Sequence, residues 1–163
     1  MIGFYHKGIR IESTIETTQR YYDHKRDGKR VLLDKNIEVA VNFWEFSIEN
    51  GNLTELALIK SNLQFYIHCF WKRSSRSGFN LKLEKSIEHM TSNGPLTLSF
   101  IAREKNKQLS LYIFLMKSGK VIEEIYLDVQ EVMMLDIAIN KAINMLTPTP
   151  KGYGTPNYIT YPT

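Results

Sequence analysis

The chain has 163 residues, of which 43% are hydrophobic and 23% are charged, and its formal net charge is +4 at pH 7. This size and balance exclude a disordered or fibrous chain and predict one globular domain that can bury a core without disulfides or metals. The mild positive charge is compatible with nucleic-acid binding but does not require it.

The first half of the chain predicts strands followed by a helix. Strands are expected over residues 9–15 and 30–34. Apolar residues then recur at helical spacing, and the helix is expected to stop at Asn50-Gly51. The recurring residues are Ile37, Val41, Trp44 and Ile48. Because apolar residues also alternate over this segment, a strand is the competing prediction for it.

The middle of the chain predicts three more strands, over residues 53–60, 63–72 and 79–83, with a flexible basic loop at residues 74–78. The only cysteine, Cys69, lies within the second of these strands and has no partner for an intrachain disulfide. A buried, inert thiol is favoured over a nucleophile, because free cysteine packs as a small hydrophobe.

A reducing compartment suits this single thiol, so we expect a cytoplasmic protein, encoded by a cell, a phage or a plasmid. No stretch reaches the roughly 18 consecutive apolar residues of a membrane span. Residues 1–7 lack the apolar centre of a signal peptide.

The second half of the chain carries the clearest elements. Strands are expected over residues 96–104, 109–117 and 121–127, and the connectors at 105–108 and 118–120 have hairpin length. Asp128 and Glu131 have the spacing of a capping box, and the helix that follows should end at Thr147-Pro148. Its apolar positions are Val132, Leu135, Ile139, Ala142, Ile143 and Leu146.

The order of strands, helix, strands, helix predicts an α+β fold with antiparallel sheets, built from a strands-then-helix unit that is used twice. Gly28-Lys29 through Asp34 and Gly119-Lys120 through Asp128 describe the same passage from a turn, through a strand, to a capping aspartate. We expect one globular domain over residues 1–147. Residues 148–163 carry four prolines and three tyrosines and are expected to be an extended tail.

Catalytic and metal-binding patterns are not found in the sequence. The four histidines are far apart and form no pair at metal-ligand spacing, and no phosphate-binding glycine loop is present. Glu123 and Glu124 are adjacent on a predicted strand, so their side chains point to opposite faces. We therefore expect no metal, no cofactor and no enzymatic activity. A catalytic site assembled from scattered residues is the alternative.

Alternation along two predicted strands suggests a binding face of rings and cations. Tyr66, His68, Phe70 and Lys72 share one face of residues 63–72. Tyr112 and Phe114 lie opposite the aliphatic face of residues 109–117, beside Arg103 on the neighbouring strand. Further basic residues stand at strand ends or turns: Arg26, Lys29, Arg30, Arg73 and Arg76. Aromatic rings that stack bases and cations that contact phosphates are typical of single-strand binders. The alternative is that these rings pack inside the fold or against a second subunit.

Three segments resemble a known superfamily of single-stranded nucleic-acid binders. Residues 5–11, Tyr-His-Lys-Gly-Ile-Arg-Ile, are similar to the lysine-glycine stretch that begins the first strand of Whirly proteins. Residues 30–43 resemble the strand-to-helix passage of a Pur-alpha repeat. Residues 124–128 resemble the same passage in the positive-cofactor-four transcriptional coactivators.

The resemblance implies a Whirly-like fold in which single strands lie across the sheets, and it implies a homo-oligomer. Only Lys7 is carried over from the family's motif. The resulting hypothesis is a non-enzymatic protein that binds single-stranded DNA or RNA. The competing hypothesis is a structural or adaptor protein of phage or plasmid type, which uses the same face to bind another protein.

Overall fold

The computed structural model describes residues 2–24, 28–49, 52–72, 80–82, 86–147 and 160–162, and for residues 15–24, 28–36, 80–82 and 160–162 it describes the backbone. The strands are β1 (Gly3–His6), β2 (Ile9–His24), β3 (Gly28–Phe43), β4 (Phe46–Ile48), β5 (Asn80–Lys82), β6 (Ile87–Thr91), β7 (Gly94–Lys105), β8 (Gln108–Lys117), β9 (Lys120–Leu127) and β10 (Thr160–Pro162). The helices are α1 (Leu53–Lys72) and α2 (Val129–Leu146).

The strands form two antiparallel sheets. In the first sheet the order is β1-β2-β3-β10, with β4 also paired to β3, and in the second it is β5-β7-β8-β9, with β6 also paired to β7. In the described part of the chain, four strands precede α1 and five more lie between α1 and α2. The predicted α+β class and its strands-then-helix layout are therefore confirmed.

The hairpins of the second sheet form where the sequence predicts them. Asn106 and Lys107 have φ values of 52° and 63°, and Ser118 and Gly119 have 49° and 83°. Two successive residues with positive φ are the signature of the type I′ turn, whose twist matches that of paired strands. The first turn sets the register of β7 with β8, and the second sets that of the residues nearest the turn in β8 and β9. A bulge between Leu115 and Met116 then shifts the register of the rest of β8 and β9 by one residue.

Helix α2 begins as predicted. The Asp128 carboxylate accepts a hydrogen bond from the Glu131 N–H at 2.8 Å, and Glu131 in turn accepts one from the Asp128 N–H at 3.1 Å. This reciprocal capping box satisfies two of the N–H groups that a helix start leaves without partners. The buried residues of α2 are Val132, Leu135, Ala138, Ile139 and Ala142.

Helix α1 replaces the two strands predicted over residues 53–72, so that prediction is wrong. The Asn52 side chain accepts a hydrogen bond from the Glu55 N–H at 3.2 Å and donates one to the Glu55 carboxylate at 2.8 Å. This cap starts a 20-residue helix. The residues that it buries follow helical spacing and do not alternate: Leu56, Ile59, Asn62, Leu63 and Tyr66.

The helix predicted over residues 37–48 is also wrong, and the competing strand prediction is confirmed. This segment contains the end of β3 and the whole of β4, in the register Val41↔Ile48 and Phe43↔Phe46. The segment that resembles a Pur-alpha strand-to-helix passage is therefore all strand. Asn50-Gly51, the expected helix stop, lies outside the described residues.

Two other segments differ from their predictions. Strand β2 runs to His24, beyond the predicted end at residue 15. The tail contributes β10, whose residues 160 and 162 pair with Leu32 and Arg30 of β3. The predicted basic loop at residues 74–78 lies outside the described residues.

One apolar core joins both sheets and both helices. The first sheet contributes Ile9, Ile11, Val39, Val41 and Phe43, and the second contributes a longer set that includes Leu98, Phe100, Leu111 and Ile113. The rings of Phe43 and Phe100 meet edge to face at a centroid distance of 6.3 Å. Because alternate residues of each strand face this core, the residues between them lie on the outer face of each sheet.

Candidate nucleic-acid interface

The predicted face that joined Tyr66 and Phe70 to the rings of β8 does not exist. Tyr66 lies on α1 with no exposed surface, and its hydroxyl donates a hydrogen bond to the Leu109 carbonyl at 2.6 Å. Phe70 is half-buried on the same helix, 6.3 Å from the Tyr66 ring. Tyr66 is therefore a core residue that ties α1 to the start of β8.

Among the described residues, Lys7, His68 and Lys72 lie away from the rings of β8. His68 and Lys72 are exposed on α1, and Lys7 is exposed in the turn between β1 and β2. Lys29 and Arg30 belong to β3, of which only the backbone is described there. The other three, Arg26, Arg73 and Arg76, lie outside the described residues.

Arg103, Tyr112 and Phe114 do come together, on the outer face of the second sheet. We call this site the second-sheet cluster; its members are Arg103, Lys105, Tyr112, Phe114, Glu124 and Tyr126. Cross-strand pairing places Tyr112 beside Tyr126 and Phe114 beside Glu124. The Tyr112 ring stacks on Phe114 at 4.9 Å and lies 4.7 Å from Tyr126, so three rings form one continuous group.

Two cations complete the second-sheet cluster. The Arg103 guanidinium lies 4.5 Å above the Tyr112 ring and donates a hydrogen bond to the Tyr126 hydroxyl at 3.0 Å. The Lys105 ammonium lies 4.0 Å from the Tyr126 ring centroid. Both positions are typical of cation–π contacts, which hold a positive charge beside a ring.

Tyr112 is the buried central ring of this cluster. Only 6% of its surface is exposed, and its hydroxyl donates a hydrogen bond to the Glu124 carboxylate. Burial and, after it, this bond to Glu124 raise the pKa of Tyr112 to about 12. The Tyr112 phenol is therefore neutral at physiological pH. Because the Tyr112 ring is buried, a ligand can reach the half-exposed rings of Phe114 and Tyr126 instead.

The outer face of the first sheet carries a second polar and aromatic surface. Tyr5, Arg10, Asn42 and Ser47 are cross-strand neighbours on β1, β2, β3 and β4, and we call them the first-sheet row. The Tyr5 side chain is 64% exposed, with the Arg10 guanidinium 5.7 Å from its ring centroid. The row lines an open depression.

The end of this depression is built by two turns in contact. Lys7 and Gly8 have φ values of 46° and 93°, and the Gly8 carbonyl accepts a hydrogen bond from the Trp44 N–H at 2.8 Å. A Cβ atom at Gly8 would lie 2.4 Å from the Trp44 indole nitrogen. Glycine is required there both by its positive φ and by the close approach of the indole.

The same turn is tied to the start of α2. His6 contacts the Glu131 carboxylate, and the Lys7 ammonium lies 3.6 Å from it. Burial acts to raise the pKa of Glu131, but the Asp128 N–H, His6 and Lys7 together lower it below its ordinary value. Glu131 therefore caps α2 and anchors the lysine-glycine turn at once.

Tyr5, Arg10, Trp44, Lys105 and Tyr126 were not among the predicted site residues. A signal for Tyr126 exists, because alternation along residues 121–127 places it on the face of Tyr112. A two-residue Lys7-Gly8 turn likewise makes Tyr5 and Arg10 cross-strand partners. The contact between Trp44 and Gly8 joins two turns that are distant in sequence, and no local pattern indicates it.

Comparison with models of known protein families gave no match, and a search among curated proteins gave none either. In the part of the chain that the structure describes, no three histidine, cysteine, aspartate or glutamate side chains gather as a metal site requires. Neither described helix is long and apolar enough to cross a membrane.

Proposed function

We propose that this protein binds single-stranded DNA or RNA without catalysing a reaction. The observation that carries the proposal is the second-sheet cluster, in which three rings are contiguous, Arg103 lies over the Tyr112 ring and Lys105 lies over the Tyr126 ring. Bases stack on such rings, at about 1–3 kcal/mol per base, and basic side chains contact the phosphates between them.

The geometry of the cluster favours stacking by Phe114 and Tyr126. Tyr112 packs against both rings, and Tyr126 is also held by the hydrogen bond from Arg103 and by Lys105 over its ring. Binding would therefore cost little side-chain entropy. Glu124 lies beside Phe114 in the register of β8 and β9. Its carboxylate can accept a hydrogen bond from the amino group of a cytosine.

The first-sheet row is proposed as a second contact for the same strand. Its Tyr5 ring is open to solvent, and Lys7 and Arg10 are also exposed. These groups supply one stacking surface and two phosphate contacts, fewer rings than the second-sheet cluster offers. We therefore assign the row the weaker part of the binding.

The test is a fluorescence-anisotropy titration with labelled oligo-dT and oligo-U at low and moderate salt. Binding should weaken steeply as salt rises, because phosphate contacts release counterions. Phe114→Leu keeps an apolar side chain but removes a stacking ring, and should weaken binding roughly five- to tenfold. Met90→Leu, at an exposed position on β6, is the matched control. No binding below tens of micromolar at low salt would reject the proposal.

A structural or adaptor protein of phage or plasmid type remains the second candidate. Glu124 reduces the positive charge of the cluster, which favours a protein partner over phosphate. Under this alternative, Phe114→Leu would change the particle mass in light scattering, and nucleic acid would have no effect on it.

We also propose that the protein acts as a homo-oligomer in the cytoplasm. Its single thiol, Cys69, is half-buried on α1, and burial raises its pKa. A neutral thiol of this kind suits a reducing compartment and reacts slowly. Large apolar side chains that are exposed on α1 and α2 support the oligomer.

A further inference from the structure

The exposed large apolar side chains of the described residues are concentrated on the two helices. Nine such side chains are exposed, and five of them belong to α1 or α2: Phe65, Trp71, Met133, Met134 and Ile137. Their exposed fractions run from 41% for Phe65 to 67% for Trp71. Large exposed apolar groups that cluster on one layer mark an interaction surface.

On α2 these side chains form a regular stripe. The exposed residues recur at steps of three or four, which places them along one side of a helix. They are Gln130, Met133, Met134, Ile137, Lys141 and Asn144. The stripe has Ile137 near its centre and contains one charged residue, Lys141. A surface helix that faces only water would show more charge on this side.

The exposed side of α1 has the same character. Its exposed residues also recur at helical spacing, and only Lys72, at the end of the helix, carries a fixed charge. They are Thr54, Ala57, Gln64, Phe65, His68, Trp71 and Lys72. Because α1 packs against α2, the two charge-poor sides belong to neighbouring helices.

This combined surface is compatible with a second copy of itself. A two-fold axis near Ile137 would lay two α2 helices antiparallel, with Met133 of each copy opposite Lys141 of the other. The methylenes of lysine can cover methionine while its ammonium points toward the acidic start of the facing helix, at Asp128 and Glu131. Lys141 of each copy would then face carboxylates of the other copy and not its lysine.

The size of the surface also fits a dimer. Helices of 18 and 20 residues are about 30 Å long, and two side by side are about 20 Å wide. This footprint of about 600 Å² approaches the roughly 800 Å² per partner of a stable interface. A smaller partner, such as a single peptide helix, would leave one of the two helices uncovered.

We infer that the outer sides of α1 and α2 form an isologous interface between two copies of the chain, with the outer faces of both sheets left free. This inference rests on the proposed homo-oligomer, and it is independent of whether nucleic acid is the ligand.

The test is the particle mass measured by light scattering at tens of micromolar protein. We expect the wild type at twice the chain mass of 19.0 kDa or a multiple of that. Met134→Glu/Ile137→Glu should reduce the mass to one chain, because each dimer would bury charges at its centre. Met90→Glu, at a site 74% exposed on β6, should leave the mass unchanged.

A cross-link covers the case in which the double variant is unstable. In a Cys69→Ala background, Ile137→Cys should form a disulfide-linked dimer on mild oxidation, whereas Met90→Cys should not. A wild type with the mass of one chain would overturn both the interface and the oligomer. An oligomer that persists in Met134→Glu/Ile137→Glu would overturn the interface alone. Oligonucleotide titration of the same samples tests the proposed function separately.

Discussion

The outer faces of the two sheets carry similar residue types in different arrangements. In the second-sheet cluster, the Tyr112 ring contacts both Phe114 and Tyr126, and Arg103 is held by both a ring and a hydroxyl. In the first-sheet row, Tyr5 lies beside Arg10 and Glu12, and its side chain is largely open to solvent. Residue composition alone therefore does not define a binding face. A preformed site differs from an open one in the contacts that immobilise its rings.

Loss of both reachable rings of the second-sheet cluster should have the largest effect on binding. We expect Phe114→Leu/Tyr126→Leu to weaken oligo-dT binding about a hundredfold, since each ring stacks one base. The loss of binding is compared with that of Tyr5→Leu, which removes the one ring of the first-sheet row. Equal losses from the two variants would contradict the distinction between the two faces. Thermal unfolding followed by circular dichroism shows whether both variants fold.

The Arg103 guanidinium should contribute both to phosphate contact and to the order of the rings. Arg103→Gln is expected to weaken oligo-dT binding about tenfold. It should also reduce the slope of log K against log salt by about 0.7, the value for one phosphate contact on a single strand. An unchanged slope with weaker binding would mean that Arg103 only positions Tyr112 and Tyr126.

Tyr5 should make a smaller contribution than either ring of the second-sheet cluster. We expect Tyr5→Leu to weaken oligo-dT binding about threefold to fivefold, the lower end of the effect of one base stack. The side chain is 64% exposed, so the free energy of unfolding should change little. Anisotropy titration measures the first quantity and denaturant unfolding the second. A larger loss than for Phe114→Leu would reverse the ranking of the two faces.

Ionisation of Tyr112 should make the stability of the protein, rather than its binding, depend on pH in alkaline solution. Its pKa is raised from 10.0 to about 12 in the folded protein, so the unfolded chain loses the proton first as pH rises. The stabilisation is complete below pH 10 and is lost between about pH 10 and pH 12. We expect the free energy of unfolding to fall by up to about 3 kcal/mol over this range. Tyr112→Phe, which cannot ionise, should lack this part of the fall, and the phenolate absorbance titration of the two proteins should differ by one late-titrating group.

Two signals agree at α2, and the sequence was sufficient there. The capping box of Asp128 and Glu131 and the apolar period that follows both indicate a helix from the same residue. In the second sheet, short turns align the strands, so alternation alone places Arg103, Tyr112 and Phe114 on one face. That part of the site could be predicted because hairpin pairing is local.

At α1 the apolar residues fit both the alternation of a strand and the spacing of a helix, and the prediction of strands from alternation is wrong. Residues 63–71 are apolar at alternate positions and also at helical spacing, because the segment is apolar nearly all round. The deciding signal was the cap formed by Asn52 and Glu55, three residues apart. A helix that starts at this cap places Tyr66 in the core, whereas alternation places it on a surface. The contact between Trp44 and Gly8 depends on tertiary packing, and no local sequence pattern predicts it.

Cross-linking tests the central claim most directly, because it shows where the strand lies. The protein is irradiated with ultraviolet light in complex with oligo-dT, and the cross-linked peptides are identified by mass spectrometry. The account predicts that most cross-links fall on β8 and β9, at Phe114 and Tyr126, with a minor set at Tyr5. Cross-links confined to the helices, or none at concentrations where the oligonucleotide is bound, would contradict it.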